Sequence, residues 1–461
     1  MDPTQRIDPN RTQLGGPGFD PLRTQAIAGL GGGTDLGRTT ALESLRALEV
    51  KVTPSREATM ANGPAREQFL VEIASTQGGG PGVGMTSMRT PLNLCLVIDR
   101  SGSMEGPPLD YVKQACAYVV DLLSPDDVLS IVTFEEMVDV LMPPQRVTNR
   151  AVIKDGIARL VAGNTTNLYD GLSLGVQQVM QVADPGRATR LVVFSDGDPT
   201  AGIRDFGALV QHVGEIKSRG VTCTFLGFGP DYNEELLAAM AKKAGGNYYY
   251  IPRPEMIPEV FRAELEKLMT VVARNLRLEV KLARWVEMRV TPTSDVVAGS
   301  REFTLSLADV ERGAAIHQVF DFEYPNHPLG FYRVAWGRLT YDDGITGRTE
   351  TVDIDMILEF TADAARYSVA PNPLVAQASQ VAAAGRTVEK TLMGLKSNQI
   401  TASMAVADLQ KTQAILVAQG RTQEAQEVTM ALRAIQSGQT GEAEKTLMGA
   451  LVHLDQGKTS N

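Results

Sequence analysis

Cysteine is scarce: the 461-residue chain has three, Cys95, Cys116 and Cys223, all in apolar segments without CxxC spacing. That excludes a disulfide scaffold, and the three read as small core residues of a protein in a reducing compartment. The four histidines, His212, His317, His327 and His453, form neither HExxH nor any other metal-ligand spacing. Each reads as a surface or satisfied core residue. There is no GxxxxGK[ST] segment, and the glycines at 29–37 follow no strand, so phosphate-loop and dinucleotide sites are not expected. No apolar run approaches the ~18 residues of a membrane span. The polar opening MDPTQRIDPNRTQ predicts no signal peptide. Lys plus Arg number 44 against 54 Asp plus Glu, a net charge of −10, which lacks the footprint of a nucleic-acid binder. What remains is a cytoplasmic multidomain protein. Apolar residues make up 43% of the chain, enough for packed cores in two to four domains of roughly 100–200 residues.

The composition shifts along the chain. Residues 1–44 are dominated by Gly, Pro, Asp, Arg and Thr and read as a disordered tail, with near-repeats DPTQ, DPNRTQ and DPLRTQ at 2–5, 8–13 and 20–25. In 45–77, Val50 and Val52, then Phe69, Val71 and Ile73, alternate as half-buried strands do. A glycine-rich linker follows at 78–90. Residues 91–272 set apolar runs, LNLCLVI, VLSIVTF, RLVVFS, VTCTFLGF and NYYYI, between amphipathic helical stretches. That pattern predicts an α/β fold, a doubly wound, mostly parallel sheet covered on both faces. Alternation returns over 273–361, as in Leu276, Leu278, Val280 and Leu282. With 45–77 it predicts an antiparallel β-sandwich into which the α/β domain is inserted. Residues 362–461 are rich in Ala, Gln and Leu and predict a C-terminal α-helical domain of hairpins. Two near-repeats recur there, EKTLMG (389–394, 444–449) and GRTQEA/GQTGEA (420–425, 438–443).

The chemistry concentrates in LCLVIDRSGSM, 94–104. An apolar strand ends in Asp99, and Ser101 and Ser103 follow on the same loop. Carboxylate and hydroxyl oxygens are hard ligands, suited to Mg²⁺, Mn²⁺ or Ca²⁺ rather than zinc. Thr166 in GNTTNLYDGL precedes a helix, and Asp196 in VVFSDGDPT again ends a strand. Ligands of a doubly wound sheet bind outside the carboxyl ends of its strands, where these loops lie.

Here the chain resembles the von Willebrand factor A domain family, in particular its bacterial cytosolic members. DRSGS matches the family's D-x-S-x-S motif, and TTNLYDGL and FSDGD its second and third loops. The resemblance implies a metal-ion-dependent adhesion site holding Mg²⁺, with Mn²⁺ or Ca²⁺ as alternatives. Asp99, Ser101 and Ser103 would contact the ion directly or through water, Thr166 in the ligand-bound state, and Asp196 through water. A partner's Asp or Glu would take the vacant position. It further implies strand order 3-2-1-4-5-6 with an antiparallel edge strand, for which MVDVLM at 137–142 is the candidate.

The expected function is a metal-dependent protein-interaction scaffold, not an enzyme. One alternative is an accessory subunit of an AAA+ ATPase of the MoxR or chelatase type. Another is a signalling component phosphorylated at Thr4, Thr12 or Thr24 and read by a forkhead-associated, phosphothreonine-binding domain. GLSLG at 171–175 fits G-x-S-x-G, but it falls inside a helical stretch rather than on a strand-to-helix elbow. Ser173 therefore reads as a small helix-face residue. Asp126 and Asp127 read as a helix-to-strand junction.

Overall fold

The computed structural model of the chain describes residues 6–7, 46–76, 90–184, 186–195, 198–228, 233–290, 296–297 and 299–460. Most of the tail, with Thr4, Thr12 and Thr24, lies outside them, as do residues 77–89 and Asp196. The chain divides into two compact units. One comprises Met1–Thr76, Arg277–Leu305 and His317–Ala378; the other Gln77–Leu276, Ser306–Ile316 and Ser379–Asn461.

The second unit grows from the apolar runs. The strands are β1 (Leu92–Asp99), β2 (Val128–Phe134), β3 (Val138–Arg146), β4 (Ala188–Ser195), β5 (Thr222–Phe228) and β6 (Tyr248–Ile251). They form one sheet in the order β6-β5-β4-β1-β2-β3. All pair in parallel except β3, which runs antiparallel to β2 at the edge. This is the order implied by the resemblance, and β3 includes most of MVDVLM. All eight residues of β1 are buried, as expected of a central parallel strand covered on both faces.

Alternate residues of β1 supply two cores. Leu92, Leu94, Leu96 and Ile98 pack with α1 (Pro107–Leu122), α2 (Arg150–Ala158) and α6 (Ile257–Leu268). Cys95 and Val97 pack with α3 (Leu168–Gln181), α4 (Phe206–Ser218) and α5 (Glu234–Ala244). The three cysteines are free and buried. Asp127 does more than mark a junction. It is fully buried, and its carboxylate accepts the Leu92 N–H at 2.8 Å and the Ser124 N–H at 2.7 Å, tying the end of α1 to the start of β1.

The C-terminal helices are α7 (Pro373–Lys396), α8 (Ala402–Ala418), α9 (Thr422–Gln436) and α10 (Thr440–Asp455). Val388, Leu392, Leu409, Leu416, Val428 and Leu447 are among their shared core. The GRTQEA and GQTGEA repeats each place a glycine of positive φ, Gly420 at +70° and Gly438 at +80°, just before the next helix. The repeat thus encodes a turn and a helix start. Lys242 reaches Asp455 at 2.6 Å, and Lys396 reaches Glu234 at 2.9 Å and Glu235 at 2.7 Å, so ion pairs join α5 to α10 and α7.

The first unit carries two sheets. One runs Glu302–Ser306, Val271–Leu282, Gly330–Asp343, Thr349–Thr361 and Ala58–Met60. The other runs Glu287–Val290, Ala314–Tyr324, Ala65–Ser75 and Leu48–Pro54. Tyr324 of one meets Phe360 of the other with ring centroids 5.5 Å apart. Along the strand Val271–Leu282, Leu276, Leu278, Val280 and Leu282 are buried while Arg277, Glu279 and Lys281 are exposed. The tail differs from its composition at one place: Arg6–Ile7 pair antiparallel with Phe331 and Tyr332. Strand pairing uses backbone donors and acceptors and needs no apolar face, so composition did not signal it.

Candidate functional site

The first loop is organised around its own carboxylate. Asp99 ends β1 fully buried. Its Oδ1 accepts the Ser101 N–H at 2.8 Å, and its Oδ2 accepts the Ser195 hydroxyl at 2.7 Å. Two donors, one from its own loop and one from the end of β4, orient the group. Ser101 is buried and Ser103 exposed, with their Oγ atoms 3.1 Å apart.

Backbone hydrogen bonds stitch three loops together. Gly102 N–H donates to the Asn164 carbonyl at 3.2 Å, and Gly163 N–H to the Arg100 carbonyl at 2.5 Å. The Thr166 carbonyl accepts Thr200 N–H at 3.0 Å and Ala201 N–H at 3.2 Å. Thr166 N–H in turn donates to Thr200 Oγ1 at 2.9 Å. The loops after β1, before α3 and after β4 are therefore held in one register, with Thr166 itself buried. Asn167 then caps α3 through the Asp170 N–H. Of the third loop, Ser195 and Asp198–Ala201 are described; Asp196 lies outside the described residues.

Sequence reasoning missed three supporting side chains. Ser195 holds Asp99, and its adjacency to Asp196 in FSDGD was the available signal. Thr200 holds Thr166. Glu135, in the β2–β3 turn, accepts the Asn164 N–H through Oε2 at 2.9 Å and pairs through Oε1 with Arg100 at 2.9 Å. Gly163 leaves room for that carboxylate: a methyl group at this position would sit 1.8 Å from Glu135 Oε2.

The donor set, a buried carboxylate beside two hydroxyls whose Oγ atoms are 3.1 Å apart, is of the hard-oxygen type that suits Mg²⁺, Mn²⁺ or Ca²⁺. The hydroxyl of Thr165, the residue before Thr166, is buried without a hydrogen-bond partner among the described residues.

Other candidates fall elsewhere. Ser173 lies within α3; its Oγ donates to the Tyr169 carbonyl at 2.9 Å and stands 3.0 Å from His212 Nε2. A helical setting supplies no nucleophile elbow, and burial pushes the His212 pKa down. His317 stands 3.7 Å from Glu72, and His327 stacks on Trp285. Among the described residues, no three His, Cys, Asp or Glu side chains cluster as metal ligands. No helix among them is long and apolar enough to cross a membrane.

Residues 93–263 match the family model of the von Willebrand factor type A domain. The uncharacterized protein sll0103 of Synechocystis sp. is 30% identical over 276 residues, 57% of this chain and 64% of that protein. The uncharacterized protein YfbK of Escherichia coli is 29% identical over 197 residues, 42% of this chain and 34% of that one. Human inter-alpha-trypsin inhibitor heavy chain H4 is 29% identical over 171 residues, 35% of this chain and 18% of that one. The matched stretch thus spans less than two thirds of each relative's length. Two solved structures share the fold over most of the chain. A von Willebrand factor type A protein from Catenulispora acidiphila has a TM-score of 0.65 at 16% identity, covering 84% of this chain and 90% of that one. The ArnB paralog VWA2 from Sulfolobus acidocaldarius has 0.60 at 15%, covering 88% and 98%. Residues 93–263 of this chain form a von Willebrand factor type A domain.

Proposed function

We propose that the protein binds Mg²⁺ through Asp99, Ser101, Ser103, Thr166 and Asp196, and through that ion grips an Asp or Glu side chain of a protein partner. The observation that carries this reading is the Asp99 carboxylate, buried and pinned by Ser101 N–H and Ser195 Oγ beside two hydroxyls 3.1 Å apart. The stitching of the Thr166 loop to its neighbours supports it, and the part given to Asp196 rests on the sequence. Bound there, a dication would be the largest charge in its surroundings, and with incomplete protein ligation it attracts a carboxylate strongly. Of the proposed ligands that are described, Ser103 is exposed and open to a partner, whereas Asp99, Ser101 and Thr166 are buried.

The reading is of binding without catalysis. The test is affinity capture by the full chain, wild type and Asp99→Ala, each with Mg²⁺ and with EDTA. A partner held only by wild type with Mg²⁺, and released by Asp→Asn or Glu→Gln substitution of one partner carboxylate, supports the proposal. Partners indifferent to Mg²⁺ and to Asp99→Ala contradict it.

A further inference from the structure

The loops at the carboxyl end of the six-stranded sheet carry large apolar side chains in the open. Met137, Val161, Ile203 and Phe206 are between 44% and 68% exposed. Of the eight large hydrophobic side chains exposed among the described residues of 92–268, these are four. We infer that they form an apolar rim to the metal site. The site then takes a single Asp or Glu flanked by large apolar residues on a protein partner, rather than one carboxylate of an acidic run. The inference rests on the metal-bridged reading above and adds to it the chemistry of the partner.

Topology and hydrogen bonding bring the four together. β1, β2 and β4 run parallel, so the segments that leave them emerge at one end of the sheet, the end that carries Asp99 and Thr166. Met137 lies in the turn after β2, where its carbonyl accepts the Glu135 N–H at 3.0 Å. Glu135 in turn accepts the Asn164 N–H at 2.9 Å. Val161 stands two residues before Gly163, whose N–H donates to the Arg100 carbonyl. Ile203 follows Gly202, where a methyl group would sit 2.2 Å from Oδ1 of Asn167, the neighbour of Thr166. Phe206 begins α4 from the same loop. Each of the four is thus within four residues of a group that touches a metal loop.

Single exposed apolar side chains are ordinary on a protein surface; what marks these is their convergence on the end a partner must approach. A carboxylate that reaches an ion in open water competes with water for it. An apolar rim closed by apolar residues of the partner excludes that water, and in the lower dielectric the attraction between ion and carboxylate grows. The charges of the same loops act against an acidic run. Arg100 pairs with Glu135, and Arg159 with Asp155. Of the other charges on these loops, Glu105, Glu136, Asp198 and Asp205 are exposed against Arg204. One carboxylate meets the ion, whereas further carboxylates beside it would meet like charge.

The experiment is surface plasmon resonance of the full chain over immobilised peptides, in Mg²⁺ and in EDTA. The probes are Gly-Leu-Asp-Phe-Gly, Gly-Ser-Asp-Ser-Gly, Gly-Glu-Asp-Glu-Gly and Gly-Leu-Asn-Phe-Gly. In Mg²⁺ the Leu-Asp-Phe peptide should bind roughly fivefold or more tighter than the Ser- and Glu-flanked ones. Its binding should vanish in EDTA and in the Asn peptide. The double variant Met137→Ser with Phe206→Ser should bring it down to the level of the Ser-flanked peptide, with Mn²⁺ affinity and circular dichroism as in wild type. Equal binding of the Leu- and Ser-flanked peptides, tightest binding of the Glu-flanked one, or a preference that survives the double variant overturns the apolar rim and leaves the metal-bridged reading standing. Binding of Leu-Asp-Phe that is indifferent to EDTA, or no Asp peptide bound at all, counts against the metal-bridged reading and takes the rim with it.

Discussion

Substituting Asp309 should cost more than any exposed ion pair in the molecule. Its carboxylate pairs with Arg190, stands 3.5 Å from Lys217 and accepts the Asn275 N–H at 3.2 Å. The side chains of Arg190, Asp309 and Lys217 are 3%, 5% and 9% exposed. Asp309→Ala strands two buried cations with their countercharge gone. Breaking a buried pair from one side costs about 3–5 kcal/mol, against about 0–1 kcal/mol for a surface pair. For a unit of this size that is a fall in melting temperature of roughly 10 °C. The assay is scanning calorimetry of Asp309→Ala, Arg190→Met and the double variant. The double variant should lose less than the sum of the singles, because it removes one of the stranded charges. The pH dependence has a definite sign. Burial by itself would raise the Asp309 carboxyl, but Arg190 and Lys217 hold it well below the usual carboxylate range. Its folded pKa thus lies below the unfolded value of about 3.9, so the contribution is fully present above that value. It is lost as the pH falls through the folded pKa, so the gap between wild type and Asp309→Ala should narrow only below about pH 4. A single variant melting within about 2 °C of wild type would refute the reasoning.

Three further outcomes follow from the same structure. Glu264 is buried on α6 and accepts Thr224 Oγ1 at 2.7 Å, Asn247 Nδ2 at 2.7 Å and Tyr249 Oη at 2.8 Å; Glu264→Ala should destabilise by about 2–4 kcal/mol in urea unfolding, Glu264→Gln by less. Gly163→Ala should displace Glu135 and lower metal affinity, whereas Gly156→Ala, where an added methyl meets nothing within 4 Å, should leave it unchanged; equal effects in a metal titration would contradict the role given to Glu135. Burial pushes the Cys95 and Cys223 thiols up to about 12 and raises Cys116 as well, so a disulfide reagent at pH 8 should label none of the three until guanidinium unfolds the chain.

What the sequence made legible follows from how each feature is encoded. β1 could be read because a strand buried on both faces is one continuous apolar run. The candidate loops were legible because each is a short contiguous segment, so Asp99, Ser101 and Ser103 stand out together as hard-oxygen groups. β3 was harder: as an edge strand it leaves Val140 and Leu141 exposed, and only its apolar start stood out. Asp127 could be read as a helix-to-strand junction but not as buried, and Asp309 gave no signal, since burial by tertiary neighbours is not written in the local sequence. The pairing of Arg6–Ile7 with Phe331 and Tyr332 is carried by main-chain groups, which composition does not report.

The most direct test of the metal-bridged reading is Mn²⁺ binding followed by electron paramagnetic resonance on wild type, Asp99→Ala and Ser101→Ala, with Mg²⁺ as competitor. The account predicts a single saturable ion in wild type, displaced by Mg²⁺ and lost in both variants while circular dichroism stays unchanged. Binding that survives Asp99→Ala, or no saturable ion in wild type, would contradict it.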